Sequence, residues 1–252
     1  MSFNVTADAY AAFMGRFSEP LAVQFAEYAE PRAGQRALDV GCGPGALTAR
    51  LVERLGADRV SAVDPSAPFV AATRARLPGT DVRAGDAEHL PFTDDTFDLA
   101  LAQLVVHFMS DPVAGLREMA RVTRPGGVVA ACVWDHAGEA GPLATFWRAA
   151  RERDPDTADE SELAGAREGH LAELCEQAGL PEIESIVLTV NVRFATFDDW
   201  WEPFTFGVGP AGAHVARLDE AGRDELRTRC AQLLASAPFE INASAWCVRA
   251  RP

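Results

Sequence analysis

The sequence predicts an α/β chain built on a doubly wound, mostly parallel sheet. Three observations carry that prediction. Leu38-Asp39-Val40 is a short apolar strand that runs into the glycine turn Gly41-Cys42-Gly43-Pro44-Gly45 and then into the helix-spaced run from Ala46 to Val52. A second short strand, Arg59 to Asp64, ends in an acid about 25 residues past Asp39. Further apolar strands at 81–86, 97–103 and 128–134 then alternate with helical patterns at 67–77 and 116–122.

The strand, tight turn and helix make a cradle for a small ligand. Glycines turn the backbone with no Cβ in the way, and a helix start offers unpaired N–H groups to a negatively charged group. Gly41, Gly43 and Ala46 also satisfy a dinucleotide fingerprint, so the glycines alone leave the ligand open. Asp39 narrows it. A carboxylate two residues before the turn disfavours a pyrophosphate and suits an ammonium group. The run from Leu38 to Gly45 resembles motif I of the class I S-adenosylmethionine-dependent methyltransferases, whose cosubstrate carries an ammonium and a sulfonium.

Composition bounds the rest. The 252 residues and 48% hydrophobic content suit one α/β domain with insertions, here 1–252, with a cosubstrate core at 36–135. The start of the chain has neither a basic segment nor a long apolar run, and no membrane-spanning stretch occurs, so a cytoplasmic protein without membrane partners is expected. Five scattered cysteines suggest reduced thiols rather than a disulfide framework or zinc site. The net charge of −14, with no lysine in the chain, argues against nucleic acid and removes lysine-based chemistry. No metal is expected, since Asp135 alone is too little to hold magnesium.

In chain order, residues 5–30 read as an amphipathic helix, either packed on the sheet or acting as a lid (1–30) that brings Tyr10 and Arg16 to the ligand. Asp64, followed by Pro65, is placed to accept two ribose hydroxyls; its alternative is the N-cap of the next helix. Asp86 and Ala87 resemble the adenine-side motif of the same methyltransferases, the acid facing the amino group and the next backbone N–H a ring nitrogen. An ordinary Asx turn is the alternative for Asp86.

The fourth strand leads to Gln103-Leu104. No Asn/Asp-Pro-Pro-aromatic run follows, as it would in methyltransferases acting on nucleic-acid bases, and the segment is similar to the small-molecule subgroup called type 11 or UbiE-like. His107 is the general-base candidate for a phenolic, enolic or hydroxyl acceptor, against the alternative of a packed, hydrogen-bonded histidine. The helix at 116–122 is expected to stop at Thr123-Arg124-Pro125-Gly126-Gly127 before a strand from Val128 to Trp134.

Beyond Trp134 two insertions, 136–166 and 195–237, are expected to select the substrate. Trp147, Trp200, Trp201 and Phe204 are the candidates to line an apolar acceptor site, or else form a satellite core. A helix at 168–178, strands at 185–194 and 240–250 and a helix at 219–234 complete the pattern. The resemblance implies seven strands in the order 3-2-1-4-5-7-6, the last antiparallel, in a Rossmann-like sheet. It also implies S-adenosyl-L-methionine as cosubstrate and S-adenosyl-L-homocysteine as product, a small-molecule acceptor, and a monomer or homodimer. Asp39, Gly41, Cys42, Gly43 and Gly45 would hold the methionine part, with Gln103 at the edge of the site. A non-catalytic S-adenosylmethionine-binding module and a nicotinamide-dependent oxidoreductase are the rival readings.

Overall fold

The computed structural model describes residues 6–252. Residues 1–5 lie outside the described residues, and with them the first residue of the expected 5–30 helix. Seven strands form one sheet in the order β3-β2-β1-β4-β5-β7-β6, as the resemblance implied. They are β1 (Ala37–Val40), β2 (Val60–Asp64), β3 (Asp81–Ala84), β4 (Phe97–Gln103), β5 (Thr123–Trp134), β6 (Glu184–Phe194) and β7 (Phe239–Ala250). The first five pair in parallel, and β7 runs antiparallel between β5 and β6.

The central strands β1, β2 and β4 are buried at every position, as strands covered on both faces must be. The chain enters through a short helix α1 (Ala7–Tyr10), a π turn (Ala11–Gly15) and α2 (Arg16–Ala29). Phe17, Leu21, Ala22 and Phe25 of α2 repeat at helical spacing and are buried against the sheet. Tyr28 donates its hydroxyl to the Glu184 carbonyl at 2.9 Å, and Gln24 donates to the Thr189 carbonyl, so α2 is fastened to the edge strand β6. Its first turn and the segment before it reach the carboxyl ends of the strands, where the Ser18 carbonyl accepts from Gln103.

α3 (Ala46–Leu55) and α4 (Ala67–Arg76) follow β1 and β2, and α5 (Pro112–Val122) is capped by Asp111 accepting the Ala114 N–H. β5 starts directly at Thr123, earlier than the sequence pattern suggested. Arg124, Pro125 and Gly126 are exposed within it, and a register shift against β4 between Phe97 and Leu99 absorbs the irregularity.

α6 (Ala144–Arg153) and α7 (His170–Gln177) lie between β5 and β6. α8 (Phe197–Trp201), a 3-10 turn (Glu202–Phe206), α9 (Gly209–Arg217) and α10 (Glu220–Leu233) lie between β6 and β7. Thr196 and Asp199 cap α8 reciprocally. No helix among the described residues is long and apolar enough to cross a membrane.

The glycine turn is held by β2. The amides of Gly41 and Cys42 both donate to the Val63 carbonyl, at 2.8 and 3.0 Å, and Gly45 donates to the Cys42 carbonyl. Gly41 sits at φ +70°, and a Cβ there would run into the branched side chain of Val105. Gly41→Ala is expected to lower stability by about 1–3 kcal/mol, through both the backbone angle and the clash. In urea denaturation, adding Val105→Ala should restore part of that loss; no restoration would mean that the φ alone sets the cost.

Candidate functional site

Because β1, β2 and β4 run in parallel, their carboxyl ends open on one edge of the sheet, where open α/β folds bind ligands. A cavity of about 380 Å³ lies there, in the range of small-ligand sites. Gly41 and Gly43 come to it from β1, Asp64 and Pro65 from β2, Asp86 and Ala87 from the exit of β3, and Gln103 from β4. Tyr10 of α1 closes one side, its ring edge-on to Phe69 at 5.4 Å between centroids. Val105, Phe108 and Met109 supply apolar wall.

Asp64 is buried, and its two oxygens accept the Gly43 and Ser66 amides, each at 2.8 Å. Burial raises its pKa while those two amides hold it back. The same carboxylate therefore fixes the glycine turn and faces the cavity, with lone pairs left for a ligand. It does not cap α4, since Ser66 occupies the N-cap position.

Asp86 is exposed, with Oδ1 3.1 Å from His89 Nδ1. Gln103 donates to the Ser18 carbonyl of α2 at 3.0 Å, and its buried Oε1 has no partner among the described residues.

Asp39 lies beneath the turn and not on the cavity wall. It is 1% exposed; Oδ2 accepts the Thr48 hydroxyl at 2.6 Å and Oδ1 has no partner among the described residues. Burial pushes its pKa up to about 7 against the pull of Thr48. Cys42 and Gly45 also lie outside the cavity lining: Cys42 is buried, and Gly45 starts α3 in the left-handed region at φ +88°. The turn thus spends the amides of Gly41, Cys42, Gly43 and Gly45 on the protein itself, unlike the open N–H cradle the spacing suggested.

His107 sits in a 3-10 turn (Val106–Phe108), buried, with Nδ1 unpartnered among the described residues. Burial, and then neighbouring His136, hold its pKa well below the usual histidine value. It lines a second chamber of about 40 Å³ that shares Tyr10, Leu104 and Phe108 with the larger cavity. His136 and Glu160 complete the polar part of that chamber, and Phe13, Met14, Leu143 and Val208 are among its apolar walls. Leu104 turns the chain out of β4 at φ +62°, a conformation a branched residue holds only under tertiary constraint.

The aromatic candidates for the acceptor lie elsewhere. Trp200, Trp201 and Phe204 are 3%, 4% and 2% exposed and pack on one another, on Phe13 and on Phe146, away from both cavities. Trp147 is buried too, and its indole N–H donates to Glu160 at 2.9 Å. Arg16 lies over the Phe194 ring at 5.2 Å and lines a further cavity with Tyr10, Pro44 and Ala46, beside the glycine turn and outside the lining of the 380 Å³ cavity.

Sequence reasoning missed His136 and Glu160. The only signal was that each stands just beyond β5 or late in the first insertion, where spacing to β4 cannot be counted.

Residues 38–131 match the family model for a methyltransferase domain. An uncharacterized methyltransferase of Mycobacterium tuberculosis is 40% identical over 139 residues, 55% of this chain and 54% of that protein. A demethylmenaquinone methyltransferase of Beutenbergia cavernae is 45% identical over 96 residues, 38% of this chain and 39% of its own. The chain spans about half the length of the first curated relatives it matches.

Among solved structures, the YcgJ protein of Bacillus subtilis is similar over 93% of this chain and 97% of its own, with TM-score 0.59 and 21% identity. Phosphoethanolamine N-methyltransferase 2 of Haemonchus contortus, solved with S-adenosyl-L-methionine, is similar over 98% and 57%, with TM-score 0.61 and 16% identity. At such identities the likeness is one of fold. Residues 38–131 thus match a methyltransferase domain, and the chain as a whole shares the fold of solved S-adenosylmethionine-dependent methyltransferases. Its sequence relatives place the segment 38–131 with the type 11 domain that the Gln103-Leu104 run resembles.

The buried state of Asp39 has a consequence for stability. Its pKa is raised in the fold, so the folded chain keeps a proton that the unfolded chain releases. Stability therefore falls as pH rises from the ordinary carboxyl value of 3.8 to about 7, and is level in this contribution above that. Asp39→Asn removes the contribution. Compared by urea denaturation, the variant should gain on the native chain across that window, on the order of a few kcal/mol in all. A constant difference between the two would show that Asp39 is ionised in the fold.

Proposed function

We propose that the protein transfers a methyl group from S-adenosyl-L-methionine to a small, largely apolar acceptor. The observation that carries this reading is the pair of adjoining cavities: one at the carboxyl ends of β1, β2 and β4 with Asp64 and Asp86 on its rim, the other apolar with buried imidazoles.

The residues of the larger cavity fit the cosubstrate. Asp64 has acceptor capacity for ribose hydroxyls, Asp86 and the Ala87 amide stand where the adenine edge would lie, and Gln103 Oε1 is an unsatisfied acceptor. Asp39, with one bare oxygen under Gly41 and Gly43, supplies an acceptor beside the methionine end, and an ammonium bound there would favour its ionised form over the protonated one that burial favours. The bound cosubstrate supplies a methyl group on a sulfonium centre. The chain's part is to align the two cavities, since positioning provides much of the acceleration, and to exclude water with Tyr10, Leu104 and Phe108.

His107 takes the acceptor's proton. Its imidazole is neutral at physiological pH, because burial opposes the charged form, so its lone pair is available.

Calorimetric titration with S-adenosylmethionine, S-adenosylhomocysteine and NAD tests the reading. The two adenosyl-sulfur ligands should bind saturably and NAD should not; binding of NAD alone sinks it. Asp64→Asn should weaken S-adenosylmethionine by about tenfold. Once an acceptor is in hand, His107→Ala should lower kcat far more than it weakens the cosubstrate, and an unchanged kcat would make His107 a packing residue.

A further inference from the structure

The smaller chamber contains a polar arrangement that the cosubstrate does not use. His107 Nδ1 and His136 Nε2 are both buried and both lack a hydrogen-bond partner among the described residues. The two rings face each other edge to face with centroids 5.9 Å apart, on segments that leave the neighbouring strands β4 and β5. A buried polar atom left bare costs about 1–3 kcal/mol, so two in one chamber mark a place where a partner is supplied from outside.

Burial keeps both rings neutral, with His136 pushed down to about 4. A neutral imidazole pair presents N–H donors and lone-pair acceptors together. One hydroxyl, which donates once and accepts twice, can satisfy both rings; a carbonyl can only accept, and a hydrocarbon can do neither. A cation would gain no charge partner from neutral rings. The third polar group, Glu160, has Oε2 held by the Trp147 indole, and burial with the nearby Asp159 carboxylate raises its pKa to about 7. An anionic acceptor would be a third carboxylate at that end, opposed by Glu160 and Asp159 and admitted only with Glu160 protonated. Asp159 is itself paired with Arg151, which keeps the arginine from serving as an anion receptor.

We propose that the acceptor presents a neutral hydroxyl on an apolar body, held between His107 and His136, with Glu160 closing the chamber to anionic acceptors. This inference rests on the methyltransferase reading for what the chamber is for, but not for what binds in it. The chamber has room for a polar end and part of a ring, about three waters by volume, and its shared wall of Tyr10, Leu104 and Phe108 leads toward the larger cavity.

The test uses four small probes of one shape: phenol, benzene, aniline and benzoate, titrated calorimetrically into the protein loaded with S-adenosylhomocysteine. Phenol should bind at least about tenfold more tightly than benzene, and benzoate should not bind. His136→Phe and His107→Phe keep a ring in place and should abolish the preference for phenol over benzene. Glu160→Gln should admit benzoate. Normal S-adenosylhomocysteine binding by each variant shows that it is folded. Equal binding of phenol and benzene, no binding of phenol, or an intact preference in either histidine variant overturns the proposal. Tighter binding of aniline than phenol overturns it in favour of an amine. Should the native chain fail to bind S-adenosylhomocysteine, the methyltransferase reading falls, and the same titrations on the unloaded protein still decide the chamber.

Discussion

The rest of the site depends on the joint between the first two strands. Asp64 ends β2 and accepts the amide of Gly43, while Val63 beside it accepts those of Gly41 and Cys42. One strand end therefore sets the path of the turn that follows its neighbour. The turn can pass this close only because Gly41 carries no Cβ against Val105, and Val105 belongs to the exit of β4. Three parallel strands are locked at their carboxyl ends by a handful of backbone bonds. The Gly43 amide helps hold a buried carboxylate in a form that would otherwise be costly.

Most of this framework was legible in the sequence, for a physical reason. Buried parallel strands must be short apolar runs, and the turn must be glycine where φ is positive, so 38–45 and 60–64 announce themselves. The acids at 64 and 86 reach the cavity because they stand at strand ends, a position that counting along the chain can find. Asp39 shows the limit of counting. It stands at a strand end too, yet its side chain goes to Thr48, nine residues on, under the turn. Alternation within a strand was readable, but the face presented to the ligand was not.

The side proposed for the acceptor was the least legible. Trp200, Trp201 and Phe204 drew attention as large apolar groups on an insertion, but large rings on a long connection have first to cover the sheet, and these three join Phe13 and Phe146 in doing so. The chamber is built instead from four separate stretches: Tyr10 to Met14, Leu104 to Phe108, Trp134 to Glu160, and Val208 to Ala211. No local pattern marks such a site, because nothing but the tertiary fold brings those stretches together. His136 and Glu160 read as loop residues in the sequence, and burial alone gives them their chemistry.

The electrostatics of the two cavities form a consistent division of labour. The larger one gathers carboxylates at the strand ends, next to the place proposed for a cationic cosubstrate, within a chain of net charge −14. The smaller one holds histidines that burial keeps uncharged. Had they been protonated, two imidazolium ions would stand against the shared wall and repel a sulfonium on its other side, in a medium where screening is weak. A base that must work beside a cation is best kept neutral until the moment it takes a proton. Desolvation would do that for the base proposed at His107, without any neighbouring cation being needed. It also ties the chemistry to closure: water admitted between Tyr10 and Phe108 would raise the histidine pKa values and weaken the carboxylates' hold together. The N-terminal segment that carries Tyr10, anchored through Gln103 and Ser18 to the end of β4, is thus part of the site's electrostatics as much as of its shape.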